Sequence, residues 1–369
     1  MKFTLKQKDL TLSSKALAKT LNRHPHLPVL AGIYLKTNKD SLELTTTDLT
    51  AGVKVKIPAQ IEEEGETVVN GKIFLETVGF FDQEETKFSL KEKELLLNNG
   101  ADKVLIPLIA QDYPDFSLSK KEGEEINLDF WETIQKKVAF TASSDQTRPA
   151  LTGVLFTGEG NLLQTVCTDG FRLTVLSQEL SDQFFHEKNL ILSARAINDV
   201  VALLQNFEEE KVSFIYDEAG AQIFFTNNSF TYFTKLINSN YPPFEKIIPL
   251  EFITRVKADR LDLIKNLNKA TIFARTSNNV VKLEIKDKKI HFLANSLGDG
   301  VFESEQELIE QSGESLKIAF NIRYLLDFLS LATNDVINLG FNSHDKPVLI
   351  TDPGNNKWQY VVMPFKPKG

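Results

Sequence analysis

The sequence predicts an α+β protein of three tandem homologous domains, each combining two helices with antiparallel sheets. Three observations lead there. At 369 residues the chain is too long for one ordinary core. A short strand followed by an amphipathic helix occurs three times, and a second amphipathic helix recurs at a domain-sized interval.

The strand-then-helix pattern falls in 3–21, 126–141 and 253–272. The apolar stripes are Leu10, Leu17 and Leu21; Phe130, Trp131, Ile134 and Val138; and Leu261, Ile264, Leu267 and Ile272, all near helical spacing. Asp129 and Asp259 stand where an N-cap accepts the free amides of the first turn. The second helices are expected over 70–81, 194–206 and 321–332. They carry Phe74, Val78 and Phe81; Ile197, Val200, Val201 and Leu204; and Ile322, Leu325, Leu326 and Leu329. A period of roughly 125 residues means tandem domains rather than a solenoid of short units.

Between the helices the chain alternates with the two-residue period of half-buried strands, as in Ser41–Thr46, Lys211–Tyr216 and Val281–Lys286. Turn residues separate them, among them Asn98-Asn99-Gly100, Gly158-Glu159-Gly160-Asn161 and Asn227-Asn228-Ser229. A charged linker at 120–125 and Ile248-Pro249-Leu250-Glu251 mark the joints. The domains are therefore expected at 1–122, 123–250 and 251–369.

Hydrophobic content of 42% and charged content of 25% fit a soluble globular protein. The N-terminus lacks an apolar signal core, and no run approaches the roughly 18 apolar residues that span a membrane. A cytoplasmic location is expected. Cys167 is alone, so neither an internal disulfide nor a cysteine-based zinc site can form. His24 and His26 flank Pro25 without a third ligand nearby. No metal and no cofactor are expected.

The net charge is −8, whereas a protein that coats phosphates runs basic. The six predicted helices nevertheless hold eleven basic and eight acidic residues, so the acidity lies in strands and loops. Helices lining one surface would give a locally positive face that attracts DNA loosely. Ordinary solvated helix faces are the alternative.

Three segments, Cys167-Thr168-Asp169-Gly170-Phe171-Arg172-Leu173, Asn240-Tyr241-Pro242-Pro243-Phe244-Glu245-Lys246-Ile247-Ile248-Pro249 and Phe320-Asn321-Ile322-Arg323-Tyr324-Leu325-Leu326, carry a likeness. They resemble the bacterial sliding clamp family, the beta subunit of DNA polymerase III. Met1-Lys2-Phe3, Leu27-Pro28-Val29-Leu30, the segment 148–156 and the ending Tyr360-Val361-Val362-Met363-Pro364 also match. The similarity runs in order along the whole chain.

The resemblance implies a non-catalytic DNA polymerase processivity factor, a head-to-tail homodimer closed into a ring of six domains around duplex DNA. Helices would line the hole and sheets the rim. It further implies a groove for short linear motifs of the replicative polymerase, clamp loader and repair proteins. Carried over by residue, the groove is Leu151, Thr168, Gly170, Phe171, Arg172, Leu173, Pro242, Lys246, Ile247, Asn321, Tyr324, Pro347, Val361, Met363, Pro364 and Phe365. Phe171 replaces the histidine of many members, and Phe365 the methionine of some. Arg172 and Lys246 would meet backbone carbonyls or acidic flanks of the peptide.

By the same resemblance, DNA contacts fall to Arg23 or His24, Lys72, Arg148 in the 144–148 loop, and Arg195. Many members carry arginine at the His24 position. Val104 and Ile106 would meet Ile272 and Phe273 of a second copy, with core packing as the alternative for all four.

Two rivals remain open at this point. Asp48, Asp169 and Asp299 could be imagined as the carboxylates of a metal-dependent nuclease, although Asp48 and Asp169 occupy equivalent places where a short acidic side chain favours a turn. No phosphate-binding glycine loop of the P-loop type is present, so ATP use is not expected. A non-ring peptide-binding scaffold of the same fold would keep the groove without the dimer joint.

Overall fold

The computed structural model describes residues 1–22, 25–110, 112–116, 123–179, 189–296, 298, 300–355 and 357–365. Among these the six α-helices are α1 (Gln7–Leu17), α2 (Gly71–Phe80), α3 (Leu128–Lys137), α4 (Ala194–Asn206), α5 (Arg260–Ala274) and α6 (Ile322–Leu331). The expected strand precedes each first helix: Lys2–Lys6, Glu124–Asn127 and Thr254–Asp259.

Local chemistry sets the ends. Asn70 caps α2 by accepting from Ile73 N at 3.0 Å, and Asp259 caps α5 by accepting from Asp262 N at 2.8 Å. Asn321 caps α6 through Arg323 N at 3.0 Å. Asp129 is not a cap: α3 begins one residue earlier, so Asp129 sits inside the first turn and faces the positive end of the helix dipole. α1 and α3 stop short of their predicted ends because threonine hydroxyls draw the chain onto neighbouring strands. Thr20 Oγ1 donates to Thr46 O at 3.1 Å and Thr141 Oγ1 to Cys167 O at 3.0 Å. Phe273 occupies that position in the third copy, and α5 continues to Ala274.

Two sheets cross between repeats. In an eight-stranded sheet, Ala51–Pro58 of the first repeat pairs antiparallel with Phe230–Lys235 of the second. In a nine-stranded sheet, Arg172–Glu179 of the second repeat pairs antiparallel with Trp358–Val362 of the third. Five- and four-stranded sheets complete the set among the described residues. The chain accordingly gathers into two compact units, Met1–Glu132 with Arg195–Leu236, and Thr133–Ala194 with Ile237–Gly369. The units do not follow the three repeats, because backbone ladders bind neighbouring repeats together and divide the middle one.

In the first unit Trp131 packs against Phe214 at 5.6 Å and edge-on to Phe225 at 5.1 Å, while Phe3 stacks on Phe88 at 4.6 Å. In the second, Phe328 meets Trp358 at 4.4 Å and Tyr360 at 5.0 Å, and Trp358 Nε1 donates to Lys137 O at 3.0 Å. No helix among the described residues is long and apolar enough to cross a membrane.

A buried carboxylate beyond α6 gives the fold a pH dependence. Burial alone would push the Asp352 carboxyl up, but donors from Thr333, Gly354 and Asn334 outweigh it and hold it below its ordinary value. A depressed carboxyl stabilises above the unfolded pKa, near ~4, and that stability disappears as pH falls through the folded value. The urea midpoint should therefore drop as pH falls below about 5, and drop less for Asp352→Asn.

Candidate functional site

The Thr-Asp pairs singled out in the sequence build the same turn twice. Asp48 Oδ1 accepts from Thr50 N at 2.9 Å and Ala51 N at 2.8 Å; Asp169 Oδ1 accepts from Phe171 N at 2.9 Å and Arg172 N at 3.1 Å. The residue after each aspartate has positive φ, 93° at Gly170 and 71° at Leu49. Glycine adopts this region freely, while leucine does so at a cost of order 1 kcal/mol. The second carboxylate oxygen of each aspartate receives an arginine, so both are consumed by structure. Asp299 lies outside the described residues, and no group of three metal-ligating side chains occurs among those described.

The two arginines arrive from different backbone positions at one kind of seat. In the first unit Arg195, second residue of α4, donates Nη1 to Asp48 Oδ2 at 2.8 Å and Nη2 to Lys19 O at 2.6 Å. Its Nε lies 3.5 Å from Asp199 Oδ2, which also accepts from Tyr232 Oη at 3.2 Å. In the second unit Arg172 donates Nε to Asp169 Oδ2 at 3.0 Å, Nη2 to Phe140 O at 3.2 Å, and Nη1 to Asp327. Asp199 and Asp327 are each the sixth residue of their helix. Burial holds the Asp199 carboxyl above its ordinary value despite Lys19 and Arg195. Burial would also raise Asp48, but Thr50, Ala51 and Arg195 bring it below.

The groove residues all lie in the second unit. Leu151, Thr168, Leu173, Val361 and Pro364 are buried; Leu173 pairs with Val361 across the sheet and shares a cluster with Phe244. The ring of Phe171, 57% exposed, stacks on Tyr324 at 6.4 Å, and the Arg172 guanidinium lies 4.7 Å from the Tyr324 ring centre. Met363 N donates to Phe171 O at 2.8 Å. Gly170, Pro242, Lys246 and Ile247 are exposed, while Asn321, Pro347, Met363 and Phe365 are half-buried. The result is an aromatic platform beside an aliphatic wall, suited to an apolar side chain. Arg172 has internal acceptors on Nε, Nη1 and Nη2, which take three of its five N–H groups and fix the guanidinium beside the wall.

Three family descriptions match in tandem: DNA polymerase III beta subunit N-terminal domain at 1–118, central domain at 125–243 and C-terminal domain at 245–366. The chain belongs to the DNA polymerase III beta subunit family. The beta sliding clamp of Staphylococcus aureus strain Mu50 is 25% identical, covering 99% of both chains. A DNA polymerase III beta subunit from Thermotoga maritima superposes with a TM-score of 0.90 at 26% identity, covering 99% of each chain. A DNA polymerase sliding clamp from Bacillus subtilis gives 0.92 at 24%, again over 99% of each.

The remaining residues singled out by likeness to the beta subunit family are placed unevenly. Arg23 and His24 lie outside the described residues. Lys72 is exposed at the start of α2. Arg148 pairs with Asp145 at 3.0 Å, and Arg195 is tied into its seat while remaining half exposed. Ile272 is 66% exposed and Phe273 stacks on Phe302 at 5.9 Å. Val104 is half-buried, but Ile106 belongs to the core because it faces inward on its strand; the outward neighbour Leu105 is 48% exposed.

Two features escaped the sequence reading although their signals were present. Each second helix carries a basic residue at its second position and an acid at its sixth: Lys72 and Glu76, Arg195 and Asp199, Arg323 and Asp327. The other is a repeated latch, Tyr113-Pro114-Asp115-Phe116 and Tyr241-Pro242-Pro243-Phe244. Tyr113 Oη accepts from Thr47 N at 3.0 Å, and Tyr241 Oη donates to Val166 O at 3.3 Å.

Proposed function

We propose that this protein is a DNA polymerase processivity factor. Two copies join head to tail into a closed ring around duplex DNA, and the groove tethers polymerase, loader and repair proteins by short peptides. It performs no catalysis of its own.

The observation that carries this reading is the unfinished repetition of the sheets. One half-sheet of the first repeat continues into the second, and one of the second into the third. Among the sheet edges that remain, Asp102–Pro107 in the first repeat and Gly300–Glu307 in the third are ones that a second copy can complete in the same way. In both internal joints the first residue after the turn faces the fifth residue of its partner strand: Ala51 faces Thr234 and Arg172 faces Val362. The same rule sets Val301 opposite Leu105 and Glu303 opposite Lys103. Val301 and Leu105 are 58% and 48% exposed apolar side chains, and the other pair is complementary in charge.

Enclosure also accounts for the net charge of −8, since a ring need not hold phosphates tightly. Supplied with a clamp loader and polymerase on a primed circular template, the protein should lengthen products per binding event at least about tenfold; unchanged length would reject the proposal.

A further inference from the structure

A depression of about 410 Å³ lies beyond Phe365 on the outer face of the four-stranded sheet. Leu293, Ala319 and Phe365 give it an apolar floor, and Lys282, Lys317, His291 and His344 stand around it. Glu284 is the one acid in its lining and is already paired with Lys317 at 3.2 Å.

It continues directly from the groove. Phe365 belongs to both, its amide donates to Ala319 O at 2.7 Å, and Ala319 lies on the strand that runs into Asn321.

We propose that this depression is a second subsite of the peptide groove. It takes the flank of a bound linear motif, one apolar side chain on Leu293, Ala319 and Phe365 and one or two carboxylates beside Lys282 and Lys317. The inference rests on the peptide-groove reading above. A peptide is favoured over nucleic acid because the floor is aliphatic and the depression opens from an apolar groove, whereas a phosphate track needs cations spaced along a polar surface. The chain's own last four residues are disfavoured as occupant, since Lys366 and Lys368 carry the same sign of charge as Lys282 and Lys317.

The test uses the full-length protein and two fluorescent peptides that share one groove-binding core. One carries the flank Leu-Asp-Asp, the other Leu-Ser-Ser. The acidic flank should bind roughly five- to tenfold tighter, each exposed ion pair adding a factor of a few. That advantage should fade near 0.5 M salt. In the double variant Lys282→Ser, Lys317→Ser it should vanish while the neutral peptide binds as before. Equal affinity of the two peptides for the unmodified protein would overturn the subsite but leave the groove intact; failure of both to bind would remove both. Tighter binding of both peptides after deletion of Lys366–Gly369 would assign the depression to the tail and overturn the proposal. So would competition by a short single-stranded DNA for the flank alone.

Discussion

Leu105→Asp should convert the proposed dimer into monomers without unfolding either copy. The side chain is 48% exposed in the single chain, so helical signal and melting temperature should stay close to those of the unmodified protein. In the proposed joint it faces Val301, and a carboxylate there loses water without gaining a partner. A penalty of ~2 kcal/mol per joint is counted twice in a two-joint ring, about a thousandfold in dissociation constant. Sedimentation should fall from twice 41.6 kDa to 41.6 kDa at micromolar concentration. The charge pair offers a stricter check of register. Lys103→Glu should weaken the dimer, and adding Glu303→Lys to the same chain should restore it. Failure of that rescue would contradict the register while sparing the joint.

Arg172→Ala should have the largest effect on stability of any single seat residue. It removes a side chain only 11% exposed that is the shared partner of Asp169 and Asp327. Breaking a buried pair costs about 3–5 kcal/mol, and discounting for Asp327, 44% exposed, leaves ~2–3 kcal/mol. Arg172→Lys should recover little, because an ammonium cannot reach Asp169, Asp327 and Phe140 O from one planar fork. Arg195→Ala should cost less, ~1 kcal/mol, since its side chain is 50% exposed and Lys19 remains beside Asp199. Urea midpoints of the three variants give the ranking. Loss of peptide binding in Arg172→Ala but not in Arg195→Ala would separate the groove wall from its counterpart in the other unit.

Periodicity reveals the repeated helices because each buries one stripe, and the aspartate cap at 259 follows from its chemistry, whereas the caps at Asn70 and Asn321 emerge only in the structure. Asp129 shows the limit: one residue of slip at a helix start turns a cap into a first-turn acid. The early ends of α1 and α3 depend on Thr20 and Thr141 reaching strands far along the chain, which no local pattern encodes. The same reason hid the double use of one guanidinium seat. Arg195 and Arg172 are not aligned in the repeats; only space brings them to equivalent carboxylates. The groove, by contrast, is legible only through resemblance, and the internal acceptors of Arg172 become visible only in the fold. For Ile106 the core alternative holds, and strand parity decides it, since its neighbour Leu105 points outward.

The claim on which the account depends is that the protein holds DNA by enclosure. Labelled protein should be loaded onto nicked circular DNA, washed at ~0.5 M salt to strip phosphate contacts, and measured before and after one restriction cut. Retention on the circle, followed by loss through the new ends, is the result expected. Equal retention on circular and linear DNA, or loss from both in the salt wash, would contradict it.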